Sequence, residues 1–331
     1  MNKCIGCGAT LQDNDETKQG YIIPEKKDKA KYCQRCFKIT NYNEKIIMPL
    51  EHINEHIIEQ INKNKKYVYF LIDILNINNE TINTFKSIKN NKTLVISKLD
   101  IIPKSIKEIK IVEWLREEYQ IDEDIIFLSS KKNINISSIE KTLLQNHQKD
   151  CYILGYTNAG KSTLINKLNN HSSVITTSLI PNTTLDFIKI KINENMTIID
   201  SPGFTLDKTL YKEDEFDLIK RINPKDFIKP RTYQVKDITS LIIENKIKIK
   251  SNKQNSLTFY ISNDIIIDKL FNNDKLNNFN KVEYNLKDNS DIVIKGIGFI
   301  NVKKACKIII NIEDKSLIEI RKSMFNGVQN D

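Results

Sequence analysis

The eight residues "GYTNAGKS", Gly155 to Ser162, fit the pattern G-x-x-x-x-G-K-S, whose chemistry is the capture of nucleotide phosphates. The apolar run "CYILG" leads into them as a strand, and "KSTLINKL" leaves them as a helix with Leu164, Ile165 and Leu168 on one face. Loop and helix N-terminus then turn the backbone amides of Gly155, Asn158, Ala159, Gly160 and Thr163 toward the phosphates. Lys161 is placed to reach the β and γ oxygens, and the Ser162 hydroxyl to ligate magnesium. A glycine turn without a ligand would not need that strand and helix around it.

Phosphate capture does not choose between ATP and GTP. "TLVISKLD", Thr93 to Asp100, ends an apolar strand in Ser97, Lys98, Leu99 and Asp100, and looks like the guanine motif N-K-x-D. The Asp100 carboxylate would accept the guanine N1 and N2 protons as a bidentate pair, with the Lys98 stem against the ring. Adenine offers no such pair, and a buried carboxylate left unmatched costs on the order of several kcal/mol. Asp100 therefore points to GTP and GDP. Ser97 stands where asparagine is usual, removing an amide that braces the loop and touches the base, so weaker affinity with retained specificity is expected. "IIFLSSKKN", Ile125 to Asn133, looks like the second guanine motif in Ser129, Ser130 and Lys131, with a backbone amide for the guanine O6.

Two further segments follow the phosphate loop. In "PNTTLD", Thr184 is the expected switch I threonine on magnesium and the attacking water. In "MTIIDSPGF", Asp200 and Gly203 fit D-x-x-G, Asp200 holding magnesium through water and the Gly203 amide sensing the γ-phosphate. Phe204 follows, where a glutamine would position water, so slow intrinsic turnover is expected. In chain order these motifs run fourth, fifth, first, second, third. A circular permutation accounts for that order, because joining surface termini and opening the chain elsewhere leaves every strand in its place. The chain then passes from switch II through a short helix into its C-terminal segment, on which nucleotide state can pull.

Four of the six cysteines form two pairs, Cys4 with Cys7 and Cys33 with Cys36, separated by 25 residues. Two such knuckles supply four thiolates, the donor set of a closed structural zinc site. Disulfides are the competing reading. A chain without an export leader is expected to stay in a reducing cytoplasm, and so short and polar a segment needs a metal to fold. Cys151 and Cys306 stand singly in apolar stretches and read as core thiols. "HINEH", His52 to His56, matches the H-x-x-E-H pattern of some zinc peptidases, but no acidic ligand in a recognisable context follows. An amphipathic helix carrying two surface histidines is the reading adopted.

The 331 residues leave room for two or three domains, and no apolar run approaches the roughly 18 residues that cross a bilayer. The net charge of +9 is unevenly spread: residues 1–45 carry +3, residues 223–331 carry +6, and the middle is neutral. A codon bias would spread lysine evenly. The flanks are therefore where RNA or another polyanion would be met, with a merely solvated lysine face as the competing explanation.

On these motifs the chain resembles the YqeH family of circularly permuted GTPases, which assist assembly of the small ribosomal subunit. The resemblance covers nearly the whole chain and rests, in order, on "CIGCGATLQ", "YCQRCFKITNYN", "LIDILN", "SKLDIIPKS", "SSKKNINI", "GYTNAGKSTLIN", "PNTTLDFIKI" and "IIDSPGF". Asn182 stands where the family usually has glycine, so a stiffer switch I is expected. The resemblance implies hydrolysis of GTP to GDP and phosphate with magnesium and zinc as metals, and the small ribosomal subunit or its rRNA as partner. A cytoplasmic monomer without membrane contact is expected. In GTPases similar at the P-loop, an asparagine at the position of Asn158 helps hold a potassium ion beside the phosphates; bracing the loop backbone is its alternative role. Lys161, Thr184, Gly203 and Asn158 form the expected catalytic set. The competing function class is a nucleotide-gated RNA- or protein-binding module with negligible hydrolysis.

The expected fold is α/β: a zinc finger in residues 1–45, a circularly permuted P-loop GTPase domain in 46–222, and a β-rich α+β domain for RNA or ribosome contact in 223–331. The GTPase sheet is expected to be mostly parallel with helices on both faces. In the last segment "NKIKIKS" and "IVIKGIGFINVKK" alternate apolar and charged residues at period two. Their lysines form either a basic sheet face for RNA or an ordinary solvated one.

Overall fold

The computed structural model describes residues 10–14, 20–24, 30, 33, 53–169, 177–179, 187–212 and 215–325. Cys4, Cys7, Cys36, His52, Asn182 and Thr184 lie outside the described residues. Strand β1 (Tyr67–Asp73) reads YVYFLID and is buried at every position, as a central parallel strand covered on both faces must be. Its side chains alternate between two cores. Val68, Phe70 and Ile72 enter one, under helices α1 (Ile53–Asn62), α2 (Asn79–Ser87) and α3 (Glu108–Tyr119), which contribute Ile57, Phe85 and Trp114. Tyr67, Tyr69 and Leu71 enter the other, under α4 (Ser137–Gln145) and α5 (Lys161–Asn169), which contribute Ile139 and Leu164.

The sheet also contains β2 (Lys92–Ser97), β3 (Asp124–Phe127), β4 (Asp150–Gly155), β5 (Thr177–Leu179), β6 (Ile188–Lys191) and β7 (Thr197–Asp200), in the order β3-β2-β1-β4-β7-β6-β5. The first five strands of that order are parallel; β6 pairs antiparallel with β7, and β5 antiparallel with β6. Strand β4 comes fourth in the chain yet lies in the middle of the sheet. Before it the chain builds outward from β1 to β3; after it the chain crosses to the opposite edge at β5 and builds back through β6 to β7, so the carboxyl ends of β1 and β4 flank a topological switch point, where open α/β sheets bind ligands. This is a circularly permuted P-loop GTPase fold.

Helix α6 (Phe216–Ile222) leads into two five-stranded antiparallel sheets. One is formed by β8 (Arg231–Val235), β11 (Asn255–Ile261), β14 (Ser290–Ile294), β15 (Gly298–Val302) and β17 (Ile318–Lys322), in the order β17-β14-β15-β11-β8. The other is formed by β9 (Thr239–Ile243), β10 (Ile247–Ser251), β12 (Ile267–Phe271), β13 (Asn280–Leu286) and β16 (Cys306–Ile312), in the order β12-β9-β10-β16-β13. Leu241, Ile249 and Ile310 of one sheet meet Phe259, Ile292 and Ile300 of the other in a shared core, joined by Leu218 and Ile222 of α6. The expected α+β character is corrected here: the described residues of 223–325 form strands and one 3-10 turn, Lys315–Leu317, because the period-two pattern runs through each segment and offers no helical stripe.

The sheet carrying β14 and β15 is buried on both sides. Ile292 and Ile300 point into the sandwich, whereas their neighbours Val293 and Phe299 join Met324 and Phe325 in the first GTPase core. Strand β17 docks the edge. The Glu319 carboxylate accepts from the Asn79 amide at the start of α2, and the Trp114 indole donates to the Lys322 carbonyl at 3.1 Å. Arg321, 4 % exposed, donates to the Ile77 carbonyl and lies between the Trp114 and Phe299 rings, 4.8 and 4.9 Å from their centroids. Its guanidinium also meets the fully buried Asp291 at 3.4 Å. Among the described residues no helix is long and apolar enough to cross a membrane.

Candidate guanine-nucleotide site

The loop after β4 is shaped by two glycines and an asparagine. A Cβ on Gly155 would come within 2.9 Å of the Leu71 carbonyl, so strands β4 and β1 can approach only with glycine there. Asn158 and Gly160 have φ of 65° and 86°, the left-handed turn that folds the backbone around an anion. Ser162 and Thr163 are exposed in the first turn of α5.

The Lys161 ammonium is paired with the Asp200 carboxylate at the end of β7 and donates to the Ser201 carbonyl at 2.7 Å. Burial pushes the Asp200 carboxyl above its ordinary range, against the opposing pull of Lys161 and the Ser201 amide. An ammonium from the phosphate-loop motif and a carboxylate from the D-x-x-G motif are thus brought together.

The residues expected to read guanine lie at the carboxyl ends of β2 and β3. Ser97, 2 % exposed, donates through its hydroxyl to the Ala159 carbonyl at 2.6 Å and lies 3.3 Å from the Ile72 carbonyl. The expected loss of a brace is therefore not what this serine produces: a shorter side chain reaches the phosphate loop directly. The left-handed Lys98 ends in a 2.5 Å ion pair with Asp73 of β1. The Asp100 carboxylate accepts the Ser129 hydroxyl at 2.5 Å, and the Lys132 amide donates to that hydroxyl at 3.0 Å. The Leu99 amide bonds the Leu128 carbonyl at 3.0 Å, so both guanine motifs form one unit. Ser130 is buried beside Ser129. Lys131 reaches the opposite way, to Asp226 at 2.9 Å and the Lys225 carbonyl in the linker before β8. The Ile228 amide in the same linker bonds the Ile101 carbonyl at 2.8 Å.

The segment after Asp200 is held against the phosphate loop. The Thr157 amide donates to the Phe204 carbonyl at 2.8 Å and the Phe204 amide to the Gly155 carbonyl at 3.0 Å, a short parallel bridge beside Gly203. Phe204 is fully buried against Phe70 and Tyr156, with ring centroids 5.5 and 5.8 Å away. Three other parts of the chain grip the next residues. Asn54 of α1 exchanges two hydrogen bonds with the Thr205 backbone, at 2.8 and 3.2 Å. Glu80 of α2 accepts the Asp207 amide at 2.9 Å through one oxygen and meets Lys295 of the β14–β15 hairpin at 3.0 Å through the other. Gly296 lies against Leu206.

Sequence reasoning did not single out Asp73, Glu80, Asn54 or the 225–228 linker. "LIDILN" carried Asp73 without revealing its role, since its partner lies on another strand. Cys33 is buried, Cys151 and Cys306 are core thiols, and burial pushes the Cys151 thiol up. His56 lies on α1 beside Glu59, and no three metal-ligating side chains cluster among the described residues. Three lysines of the second sandwich sheet are buried or paired. Lys248 is buried with its ammonium on the Asn273 carbonyl and Asn277, while Lys281 and Lys307 share Glu283.

Comparison with known proteins matches residues 75–208 to the family described as RsgA GTPase, and residues 150–273 to the family described as 50S ribosome-binding GTPase. The protein YqeH of Bacillus subtilis is 28% identical over 344 residues, covering 92% of this chain and 93% of its own. NO-associated protein 1 of Arabidopsis thaliana, described as chloroplastic/mitochondrial, is 24% identical over 308 residues, 81% of this chain and 54% of its own. The probable GTP-binding protein EngB of Baumannia cicadellinicola is 32% identical over 142 residues, 38% of this chain and 70% of its own.

Proposed function

Because the chain belongs to the YqeH family of circularly permuted GTPases, we propose that its hydrolysis of GTP to GDP and phosphate times its stay on an assembling small ribosomal subunit. The observation that carries the reading is the convergence of β2, β3, β4 and β7 at one edge, where Ser97 meets Ala159, Asp100 meets Ser129, and Lys161 meets Asp200. In this reading Asp100 accepts the guanine N1 and N2 protons, fixed by Ser129. The amides of Gly155 to Thr163 and the Lys161 ammonium take the phosphates, releasing Asp200 from its ion pair.

The donor set fits magnesium: the hydroxyl of the exposed Ser162 and a carboxylate on Asp200 would hold it, with Thr184 as the third ligand. When bound, magnesium neutralises charge on the β and γ phosphates. Asn158 presents an amide at the same loop for a potassium ion. Phe204 cannot orient water from beneath the loop, which supports slow turnover unaided. Residues 1–45 form a zinc-held finger on Cys4, Cys7, Cys33 and Cys36; four soft donors, with Cys33 buried in a segment of few apolar residues, fit that metal.

The domains proposed are 1–45, 46–222 and 223–331. Glu80 supports the timer reading, since one carboxylate holds both the switch II exit and the sandwich hairpin. Movement of Gly203 onto a γ-phosphate pulls on both. Co-sedimentation with purified ribosomal subunits should be strong with a non-hydrolysable GTP analogue and weak with GDP. Equal sedimentation in both states would remove the timer.

A further inference from the structure

The positive charge of the C-terminal domain gathers at a place the strand pattern does not announce. The sheet-face lysines Lys248, Lys281 and Lys307 are buried or paired. At the end of the sandwich away from the Lys295 hairpin, by contrast, four turns lie side by side. The Asn289 amide bonds the Lys303 carbonyl at 3.2 Å, and Asp288 accepts the Ala305 amide at 2.6 Å, joining the β13–β14 turn to the β15–β16 turn. Asn255 clasps Lys304 through both backbone groups, at 2.7 and 3.1 Å, and the Asn252 amide bonds the Lys307 carbonyl at 3.0 Å, adding the β10–β11 turn. Val235 pairs with Asn255, which brings in the end of β8.

These laced turns present Lys236, Lys253, Lys287, Lys303 and Lys304, all exposed, and none forms an ion pair with another described residue. The two carboxylates among them each accept one backbone amide, Asp237 from Ile238 in its own turn and Asp288 from Ala305 in the neighbouring turn, so five lysines against two aspartates leave these turns with a net charge of +3. Five like charges held close on a rigid scaffold repel one another unless an anion joins them. At the rim stands Phe271, 59% exposed, with the Lys269 ammonium 5.8 Å from its ring centroid.

We propose that this end of the sandwich seats the phosphodiester backbone of an RNA, without sequence preference. Ammonium groups spread over four turns suit a line of phosphates rather than one bound phosphate, since no glycine loop converges backbone amides on a point. Exposed apolar surface at this end is confined to Phe271 and Ile238, too little to enter a lipid layer but enough for one base to stack. The inference deepens the proposed function by locating its RNA contact, and it rests on a ribosomal partner. Direct RNA binding separates its failure from failure of the timer, which particle sedimentation tests.

The experiment compares wild type with the quadruple variant Lys253→Gln, Lys287→Gln, Lys303→Gln, Lys304→Gln, and with a sheet-face control, Lys250→Gln, Lys281→Gln. Anisotropy of a labelled 20-nucleotide oligouridine is followed across a potassium chloride series. The quadruple variant should bind roughly tenfold or more weakly, with a salt slope lower by about 0.7 for each phosphate no longer neutralised. Its GTP hydrolysis and melting temperature should match wild type, and the control should keep its RNA affinity. Wild-type RNA affinity in the quadruple variant, or a reduced affinity only in the control, would overturn the proposal. So would wild-type preference for phosphatidylserine vesicles or polyglutamate over the oligouridine. If the quadruple variant melts early, Lys303→Gln with Lys304→Gln gives the same reading on a smaller scale.

Discussion

The Ser97 hydroxyl donates to the Ala159 carbonyl at 2.6 Å, tying the end of β2 to the loop after β4 through one buried bond. An asparagine would span the same gap with an amide and have a second group left for the base. Serine retains the first function in this geometry and gives up the second. Ser97→Ala should therefore weaken GDP and GTP alike, by about 0.5–1.5 kcal/mol, while the preference for guanine over adenine stays intact. Competition of GDP, GTP and ATP against a fluorescent guanine nucleotide measures both quantities. A selective loss of guanine preference would instead make Ser97 a base contact.

Asp100 is held by Ser129 at 2.5 Å, so its carboxylate is oriented before the base arrives. Asp100→Asn presents a donor where guanine also presents one, and matches the extra carbonyl of xanthine. Relative affinity should swing toward xanthosine triphosphate by on the order of 2–4 kcal/mol. Titration with both nucleotides checks it; an unchanged preference for GTP would put the base elsewhere.

The finger is tested by its metal. Purified protein should contain one zinc per chain by elemental analysis, and Cys33→Ser with Cys36→Ser should release it, because two thiolates do not close a tetrahedral site. Wild-type protein free of zinc, prepared without chelator, would end the finger reading.

Arg321 ties β17 to the Ile77 carbonyl after β1 and pairs with Asp291, whose carboxyl burial pushes above its usual range. Arg321→Met leaves that carboxylate buried without its cation, at a cost of about 3–5 kcal/mol. The added change Asp291→Asn should recover much of it. A carboxyl with a raised pKa binds its proton more tightly in the folded state, so stability falls as pH rises through that raised value. The single variant's deficit should therefore be largest near neutral pH and shrink in acid. Thermal melts at several pH values test this; a deficit unchanged by Asp291→Asn would place the cost in weakened ring packing.

Local patterns made much of this site readable. The phosphate loop is contiguous, the D-x-x-G and guanine motifs are short, and β1 is apolar throughout because both its faces are covered. Pairings across the fold were not readable: Lys98 with Asp73, or Glu80 with both Asp207 and Lys295, join residues whose spacing carries no signal. Period-two alternation likewise located strands without saying what covers their outer faces. Val293 and Phe299 join the core around Phe70 and Phe85, and Lys248, which alternation turns outward, is buried by the 272–279 loop. The α component expected after residue 223 had no helical stripe behind it. Charge counting found the basic segment but could not distinguish its sheet face from its turns.

Asn158 bears on the step for which Phe204 offers no group. Its φ of 65° exposes the side chain, and among the described residues that amide makes no hydrogen bond to the loop it sits on. A bracing asparagine would be engaged with backbone; one that helps hold a potassium ion keeps its oxygen available. A monovalent cation beside the β and γ phosphates would offset charge that develops during phosphoryl transfer, where an arginine finger otherwise acts. GTP hydrolysis should therefore run several-fold faster in potassium than in sodium at matched ionic strength. Alanine is strained at this φ, so Asn158→Gly is the cleaner variant. It should erase the difference between the two salts and leave GDP affinity nearly unchanged. Equal wild-type rates in both salts, with and without ribosomal subunits, would assign Asn158 to the loop alone.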